Sequence, residues 1–305
     1  MDTGSADLWV PSSDCMLPGC AKHIRFNPST SVTASSTGAP FTIKYGSGSV
    51  GGYVFRYTIE FAGFDIQNQG LGTVVEQSKA FSNEPFDGIL GLGFNSLSAL
   101  GAKTPLDHLM EQGRIKQKRF SLFLDRQGGR PSELLIDGVN PDYYQGNMTT
   151  LPLSSNLGYW MVKMDAVQIT YNLGPITKIA MLYFTADQAI MDSGTTLIIG
   201  PKKAVKELHK YIPGARRANI FSQIYIFPCA SVANLTLSFV FGNVPFEMSR
   251  DNLVMGTTDG GKTCVSAIQG SQTQEWIMGG SFLRNVYSVW DADQKTVSLA
   301  RVRRA

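Results

Sequence analysis

The chain begins with the segment Met1-Asp2-Thr3-Gly4-Ser5, from which the fold can be predicted. A close copy, Met191-Asp192-Ser193-Gly194-Thr195-Thr196, stands far downstream. Each copy puts one carboxylate beside a small hydroxyl residue and a glycine. A single Asp-Thr-Gly indicates little, because turns favour these residue types for conformational reasons. Two copies, each ahead of a hydrophobic stretch, predict a duplicated architecture that brings two aspartates together.

The composition favours a globular chain built from strands. Its 305 residues are 43% hydrophobic and 17% charged, which is enough to bury a sizeable core and to form two domains or lobes. Residues 49–64 alternate apolar and polar side chains, as a strand with one buried face does. Similar patterns recur at residues 119–124, 133–136, 160–169, 235–241 and 286–289. We therefore expect an all-β, mainly β fold.

Two short helices interrupt these strand patterns. Thr104 and Pro105 supply an N-cap and a first helical residue, and Gly113 supplies a stop. Residues 200–201, a Gly-Pro pair, open a second helix that we expect to continue to about Tyr211.

The formal net charge is +3, with basic residues gathered at 114–119, 202–210, 216–217 and 301–304. A nucleic-acid-binding surface would interleave such clusters with stacking aromatic side chains, and the sequence shows no interleaving. We expect a solvated surface and no nucleic-acid partner. The sequence also contains no run of about 18 apolar residues that would cross a membrane.

Four cysteines permit three disulfide pairings. Cys15 and Cys20 flank a loop containing Pro and Gly, which lets the chain turn sharply, and Cys229 and Cys264 are the natural remaining pair. A zinc site would require closer spacing or clustered histidines, whereas the three histidines are dispersed. We predict two local disulfides, no metal and an oxidising compartment.

Two Asn-x-Thr sequons, at Asn147 and Asn234, are candidate glycosylation sites. They give weak support for secretion, because chance alone yields one or two in a chain of this length. No signal peptide is visible, since the chain opens directly on the first Asp-Thr-Gly. We expect a secreted or vacuolar protein.

Turn residues cluster at residues 140–147, between two strand patterns. They divide the chain into halves of similar length, 1–146 and 147–305. In each half the aspartate motif is followed much later by an apolar pair and a glycine, at residues 89–93 and 277–280. The same order of features therefore occurs twice.

The chain resembles the pepsin-like aspartic endopeptidases, and within that family the fungal-type members. The resemblance covers essentially the whole chain, at residues 2–12, 15–20, 43–49, 86–93, 192–196 and 276–284, in the order and spacing of the family. It implies a bilobal fold of two related β-barrel lobes with the active-site cleft between them. It also implies a monomeric enzyme made as a zymogen, without a cofactor, that takes extended peptide or protein substrates and binds pepstatin-like inhibitors.

The resemblance makes Asp2 and Asp192 the catalytic pair. Two carboxylates within hydrogen-bond reach cannot both ionise easily, so they share one proton and act together as acid and base. A water molecule between them is then activated to attack the peptide carbonyl.

The residues beside each aspartate are implied to support it in three ways. Glycines let the two loops approach closely, one pair of hydroxyls cross-braces the loops, and another pair orients the outer carboxylate oxygens. These pairs are, in that order, Gly4 and Gly194, Thr3 and Ser193, and Ser5 and Thr195.

A glycine-punctuated hairpin, Tyr45, Gly46, Ser47 and Gly48, is implied to be the flap that closes over substrate. In the family the indole N–H of Trp9 would donate to the Tyr45 hydroxyl, while Ser47 and Gly48 would offer backbone groups to the substrate.

The family's apolar pocket for the residue before the scissile bond is implied to be lined by Phe81, Phe86 and Ile89, and Thr196 is expected to contact substrate. We therefore expect a preference for large hydrophobic or aromatic residues flanking the scissile bond.

The chain departs from the family pattern at its start. Mature members carry a strand or two ahead of the first Asp-Thr-Gly, whereas Met1 stands directly before Asp2 here. We expect a chain truncated at the N-terminus, whose first lobe lacks its first strands and whose own activity is uncertain.

Two other classes of protein fit the sequence less well than an endopeptidase. A catalytically silent pepsin-like peptide-binding protein would typically lose an aspartate or the flap tyrosine, and Asp2, Asp192 and Tyr45 are all present. An α/β hydrolase or a metalloenzyme would require Gly-x-Ser-x-Gly or His-Glu-x-x-His, and the sequence contains neither motif.

Overall fold

The computed structural model describes residues 1–125, 129–155, 157–185 and 187–303. They divide into two compact units. The first is Met1–Lys118 with Leu157–Tyr159, and the second is formed by the described residues of Arg119–Asn156 and Trp160–Ala305. Both units consist mainly of strands, which confirms the predicted class. Residues 119–146, which the sequence-based division assigns to the first half, belong to the second unit here.

The first unit is built around a five-stranded sheet and a short helix. The elements are β1 (Leu8–Pro11), β2 (Ser35–Lys44), β3 (Ser49–Phe61), β4 (Phe64–Gln77), β5 (Ile89–Leu90) and α1 (Pro105–Glu111). The strand order is β2-β3-β4-β1-β5. A core cluster of Trp9, Phe41, Ile43, Val50, Val54, Val74 and Phe81 packs in this unit.

The predicted strand at residues 49–64 is confirmed as β3 and the hairpin that follows it. Ala62 and Gly63 turn the chain with φ angles of 53° and 80°, the pair of positive values that a type I′ hairpin turn requires. The predicted first helix is also confirmed, because the Thr104 hydroxyl accepts from the Asp107 amide at 3.2 Å and Pro105 is the first helical residue.

The second unit contains four sheets. The strands are β6 (Arg119–Phe123), β7 (Glu133–Ile136), β8 (Tyr144–Pro152), β9 (Met161–Lys163), β10 (Ala166–Leu173), β11 (Ile176–Leu182), β12 (Gln188–Met191), β13 (Ile198–Pro201), β14 (Arg216–Arg217), β15 (Tyr225–Pro228), β16 (Leu235–Phe241), β17 (Val244–Glu247), β18 (Val254–Thr258), β19 (Thr263–Ser266), β20 (Ile268–Ser271), β21 (Trp276–Met278), β22 (Val286–Asp291) and β23 (Thr296–Val302). The strand orders are β7-β6-β22-β23-β8, β11-β10-β16-β17, β20-β13-β21-β12-β9 and β14-β15-β19-β18. The helices are α2 (Lys202–His209), α3 (Arg250–Leu253) and α4 (Gly280–Leu283).

Two sequence-based expectations differ from the structure in this unit. The segment at residues 160–169 is two strands, because the chain leaves one sheet and enters another at Met164 and Asp165. The Met164 amide donates to Asp187 and the Asp165 amide donates to Val240. The second helix begins at Lys202, since residues 200–201 still pair with β20.

The predicted disulfides are confirmed as Cys15–Cys20 and Cys229–Cys264. The first closes a local loop in the first unit, and the second ties the start of a 3-10 turn, Cys229–Val232, to β19. Two disulfides fit a protein of an oxidising, secretory compartment.

Candidate active site

The first aspartate motif is held at the end of β5. The Asp2 amide donates to the Leu90 carbonyl at 2.9 Å, and the Leu92 amide donates to the Asp2 carbonyl at 2.8 Å. Asp2 itself is buried, with 8% of its surface exposed. Hydrogen bonds to both the amide and the carbonyl of Asp2 therefore fix the backbone that bears the carboxylate.

Two donors from the same loop orient the Asp2 carboxylate. The Gly4 amide donates to Oδ1 at 2.8 Å, and the Ser5 hydroxyl donates to Oδ2 at 2.5 Å. Hydrogen bonds to an ionised carboxylate are stronger than those between neutral groups. One donor on each oxygen fixes the plane of the carboxylate.

The second motif repeats this arrangement between β12 and β13. The Asp192 amide donates to the Met278 carbonyl at 3.1 Å. The Gly194 amide donates to Asp192 Oδ1 at 2.9 Å, and the Thr195 hydroxyl donates to Oδ2 at 2.6 Å. The predicted hydroxyl bonds are thus present in both units, while the cross-bracing expected of Thr3 and Ser193 stays a prediction.

A glycine lies beneath each loop, where no side chain fits. A Cβ on Gly91 would come within 2.4 Å of the Ala6 carbonyl carbon, and a Cβ on Gly279 would come within 2.2 Å of the Leu197 carbonyl oxygen. The neighbouring segment can approach each aspartate loop this closely only because these residues are glycines.

The predicted flap contact is present in the first unit. The Trp9 indole N–H donates to the Tyr45 hydroxyl at 2.7 Å, and the Tyr45 amide donates to the Gly48 carbonyl at 2.7 Å. Burial raises the pKa of Tyr45 well above its usual range, and the negative charge of Asp2 raises it further, against the opposing effect of the Trp9 bond. The phenol is therefore neutral and keeps its proton to donate. Gly46 and Ser47 are exposed at the turn of this hairpin.

The three residues predicted to line the apolar pocket lie together in the first unit. The Phe81 ring centroid is 6.0 Å from that of Tyr45 and 6.3 Å from that of Phe86, both in edge-on geometry. Ile89 pairs with Trp9 across the sheet and packs on the same core cluster. The rings of Tyr45, Phe81 and Phe86 therefore form a continuous aromatic surface, here called the aromatic wall.

The second motif adjoins a cavity of about 230 Å³. Ser193, Gly194, Thr195 and Thr196 line one part of it, so the predicted contact residue Thr196 faces this space. Residues without a predicted role line the rest: Leu124, Asp125, Ser132, Gly280 and Arg284. A larger cavity of about 520 Å³ in the same unit is lined by none of the predicted site residues.

Two residues of the first unit have roles that the sequence did not indicate. Asp7 is buried inside the first motif and accepts from the Ser98 hydroxyl at 2.5 Å and from the Ala99 amide at 2.8 Å. His23 contacts the backbone of Phe81. The sequence places Asp7 in the motif but does not indicate its hydrogen bonds. The partners of His23 are too distant along the chain for the sequence to predict them.

The sequon residues Asn147 and Asn234 are both exposed. Within the described ranges, no cluster of three or more His, Cys, Asp or Glu side chains is suited to hold a metal ion. In the same part of the chain, no helix has the length and apolar character needed to span a bilayer.

Comparison with known proteins agrees with this geometry. The family model described as eukaryotic aspartyl protease matches residues 1–302. A pregnancy-associated glycoprotein of Equus caballus is 35% identical over 306 residues, which is 98% of this chain and 76% of the relative. Cathepsin E of Rattus norvegicus is 35% identical over 309 residues, 98% of this chain and 75% of the relative. Pepsin A of Canis lupus familiaris is 32% identical over 308 residues, 99% of this chain and 76% of the relative. With one oriented aspartate in each of two units and a family model that matches almost every residue, this chain belongs to the eukaryotic aspartyl protease family and is an aspartic-type endopeptidase.

Proposed function

We propose that Asp2 and Asp192 are the catalytic pair of this endopeptidase. One carboxylate takes a proton from a water molecule, the water oxygen attacks the peptide carbonyl, and the other, protonated carboxyl donates to the developing oxyanion. The observation that carries the proposal is that the two side chains have matching sets of hydrogen-bond donors. Each receives a glycine amide on Oδ1 and a hydroxyl on Oδ2.

The substrate side chain before the scissile bond is proposed to pack on Phe81, Phe86 and Ile89. Aromatic and aliphatic surface of this kind favours large apolar partners, because burial of apolar area stabilises the complex by about 25 cal/mol per Å². Cleavage is therefore expected next to large hydrophobic or aromatic residues. Thr196 is proposed to contact the substrate from the second unit.

The hairpin with Tyr45 is proposed to close over bound peptide. Its two glycines permit bending, and Ser47 is exposed. The backbone groups of Ser47 are proposed to bond an extended substrate. The Gly48 carbonyl already accepts from Tyr45, so substrate bonding there would involve the Gly48 amide.

The wider setting follows from the same proposal. Residues 1–146 and 147–305 are proposed as the two related lobes, because each contains one aspartate motif. We propose a monomer of the secretory pathway, secreted or vacuolar, that is glycosylated at Asn147 and Asn234 and inhibited by pepstatin-like compounds.

The test is cleavage of a denatured protein in the presence and absence of pepstatin. The wild-type chain is expected to cut in a pepstatin-sensitive manner, and Asp192→Ala is expected to abolish cutting. Asp142→Ala serves as the matched control, because Asp142 is an exposed aspartate of the same unit and should retain full activity.

A folded wild-type chain that binds pepstatin without cutting would contradict the proposal. That outcome would favour the catalytically silent peptide-binding protein instead. Both catalytic aspartates and the flap tyrosine are present, which speaks for the enzyme.

A further inference from the structure

His23 lies just after the Cys15–Cys20 disulfide and is buried in the first unit. Its side chain is only 2% exposed. Its backbone amide donates to the Cys20 carbonyl at 3.2 Å, which ties it to the disulfide loop. This loop packs tightly on the end of β4, because a Cβ on Gly19 would come within 2.2 Å of the Gln77 carbonyl oxygen. The histidine therefore projects from a rigid base.

Both ring nitrogens of His23 face acceptors. Nε2 lies 2.9 Å from the Phe81 carbonyl oxygen, and Nδ1 lies 3.2 Å from Oδ1 of Asp87. A carbonyl oxygen can only accept, so the bond to Phe81 requires a proton on Nε2. The same Asp87 oxygen accepts from the Ile24 amide at 3.1 Å. Asp87 thus holds the ring in place while Nε2 reaches Phe81.

The Phe81 carbonyl ends a short 3-10 turn, Lys79–Phe81, whose aromatic ring contacts Tyr45, Trp9 and Phe86. The residue before the turn, Ser78, is bonded to the start of β3. The Ser78 amide donates to the Ser49 carbonyl at 3.0 Å, and the Ser49 amide donates to the Ser78 hydroxyl at 2.9 Å. The other end of the turn is bonded to His23. The Phe81 carbonyl also accepts from the Glu84 amide at 3.1 Å, so His23 adds a side-chain donor from outside the turn to a carbonyl that already has a backbone donor.

We propose that His23 is a positioning residue for substrate specificity. Its Nε2–H fixes the Phe81 turn and thereby sets the shape of the apolar pocket for the residue before the scissile bond. This inference rests on the proposed function, because it assigns Phe81 to that pocket. Loss of the bond lets the Phe81 wall shift, which weakens binding of large side chains more than small ones.

The test compares two substitutions that each keep one half of the imidazole. His23→Gln places an amide nitrogen near the position of Nε2 and keeps the donor to Phe81. His23→Asn places its amide near Nδ1, keeps a polar group beside Asp87 and loses the donor to Phe81. We measure kcat and KM on two peptides that differ only in Phe or Ala before the scissile bond.

For His23→Asn we expect KM for the Phe peptide to rise about three- to tenfold, as the loss of one net hydrogen bond predicts, with kcat and the Ala peptide little changed. For His23→Gln the ratio of the two KM values should stay at the wild-type value. A merely structural role would lower the melting temperature of the variants without changing this ratio. If His23→Asn does not fold, His23→Leu repeats the test, since it retains apolar volume and also loses the donor to Phe81.

The outcomes separate the two proposals. An inactive wild-type chain overturns the proposed function and this inference together. An active wild type with an unchanged KM ratio in His23→Asn, or a changed ratio in His23→Gln, overturns this inference alone.

Discussion

The loop that holds Asp2 and the loop that holds Asp192 are built on matching strand pairs. β1 pairs antiparallel with β5 in the first unit, and β13 pairs antiparallel with β21 in the second. This register aligns the two loops residue by residue. Gly91 then corresponds to Gly279, and Asp7 corresponds to Leu197.

The aligned loops agree at the carboxylate and differ around it. Both have the amide donor, the hydroxyl donor and the close-packed glycine. The first loop adds a buried carboxylate, Asp7, where the second has a half-buried Leu197. The donors that orient the aspartate are therefore the same in both loops, whereas the groups that anchor each loop to its unit differ.

The largest expected effect tests the shared glycine. In Gly279→Ala the new Cβ would lie 2.2 Å from the Leu197 oxygen and 2.3 Å from the Thr195 oxygen. Because both atoms are backbone, the loop must move and carry Asp192 with it. We expect cleavage to fall by about 100-fold or more, with a stability loss of about 3 kcal/mol. Activity assays and denaturant unfolding measure the two effects.

Gly280→Ala is the matched control for that substitution. A Cβ there meets its nearest atom, the Thr196 oxygen, at 3.5 Å, which is ordinary contact. This variant should keep the wild-type stability, because the added methyl group displaces no backbone atom. Equal losses in both variants would show that the second loop is not sensitive to its close-packed glycine.

The next effect concerns how the two units respond to acid. In the second unit His209 Nδ1 donates to the Val205 carbonyl, and Nε2 bonds the Ser266 hydroxyl. Burial lowers the pKa of His209 from its ordinary 6.5 to about 4. The unfolded chain therefore takes up this proton first, so the associated stability is complete above about pH 6.5 and is lost as the pH falls toward 4.

The free energy of unfolding of the wild type falls in acid, and His209 is expected to account for about 3 kcal/mol of that fall. His209→Gln should remove this contribution. The measurement is urea unfolding between neutral pH and pH 4. In the first unit burial also lowers the pKa of His108, but the carboxylate of Glu111 opposes the shift. His108→Gln should therefore change the acid response less. Parallel acid curves for wild type and His209→Gln would refute the prediction.

The anchoring difference between Asp7 and Leu197 is tested by Asp7→Ala. The substitution leaves the Ser98 hydroxyl and the amides of Ala99 and Leu100 without their acceptor. We expect a stability loss of about 2 to 3 kcal/mol. Leu197→Ala, its counterpart, should lose only about 1 kcal/mol, because it removes half-buried apolar surface. Melting curves that rank the two variants in the opposite order would show that Asp7 does not anchor the first loop more strongly than Leu197 anchors the second.

The smallest effect lies in two hairpins, one in each unit. The first turns at Ala62-Gly63 and the second at Gly242-Asn243, and all four residues have positive φ. Asn adopts this conformation more readily than Ala. Ala62→Asn should therefore stabilise the chain by about 0.5 to 1 kcal/mol, and Asn243→Ala should destabilise it by a similar amount, both measured by thermal unfolding.

The features that the sequence predicted correctly are local ones. The cap at Thr104, the alternation in β3 and the hydroxyls beside each aspartate depend on neighbours within a few residues. Cys15 and Cys20 are close enough along the chain for their pairing to follow from spacing. In these segments, local conformational preference and tertiary structure agree.

The features that the sequence did not reveal depend on distant partners. β2 has mostly exposed side chains and alternates buried and exposed residues only in its last four positions, so its pairing with β3 defines the rest of the strand. The change of sheet at Asp165 is fixed by Val240, which no periodicity indicates. His23 and Asp7 are ordinary polar residues in sequence, and their bonds to Phe81 and to residues 98–100 appear only in the fold.

The hydrogen bonds that orient each aspartate join residues only two or three positions apart in sequence, which affects how far the rest of the unit can vary. Gly4 and Ser5 donate to Asp2, and Gly194 and Thr195 donate to Asp192. Each aspartate and its orienting donors therefore lie within one segment of four residues. Substitutions that do not press on the loop backbone, as one at Gly91 or Gly279 would, leave these donors in place. The same oriented acid is therefore compatible with different surroundings, an aromatic wall and a flap in one unit and a cavity lined mainly by polar residues in the other.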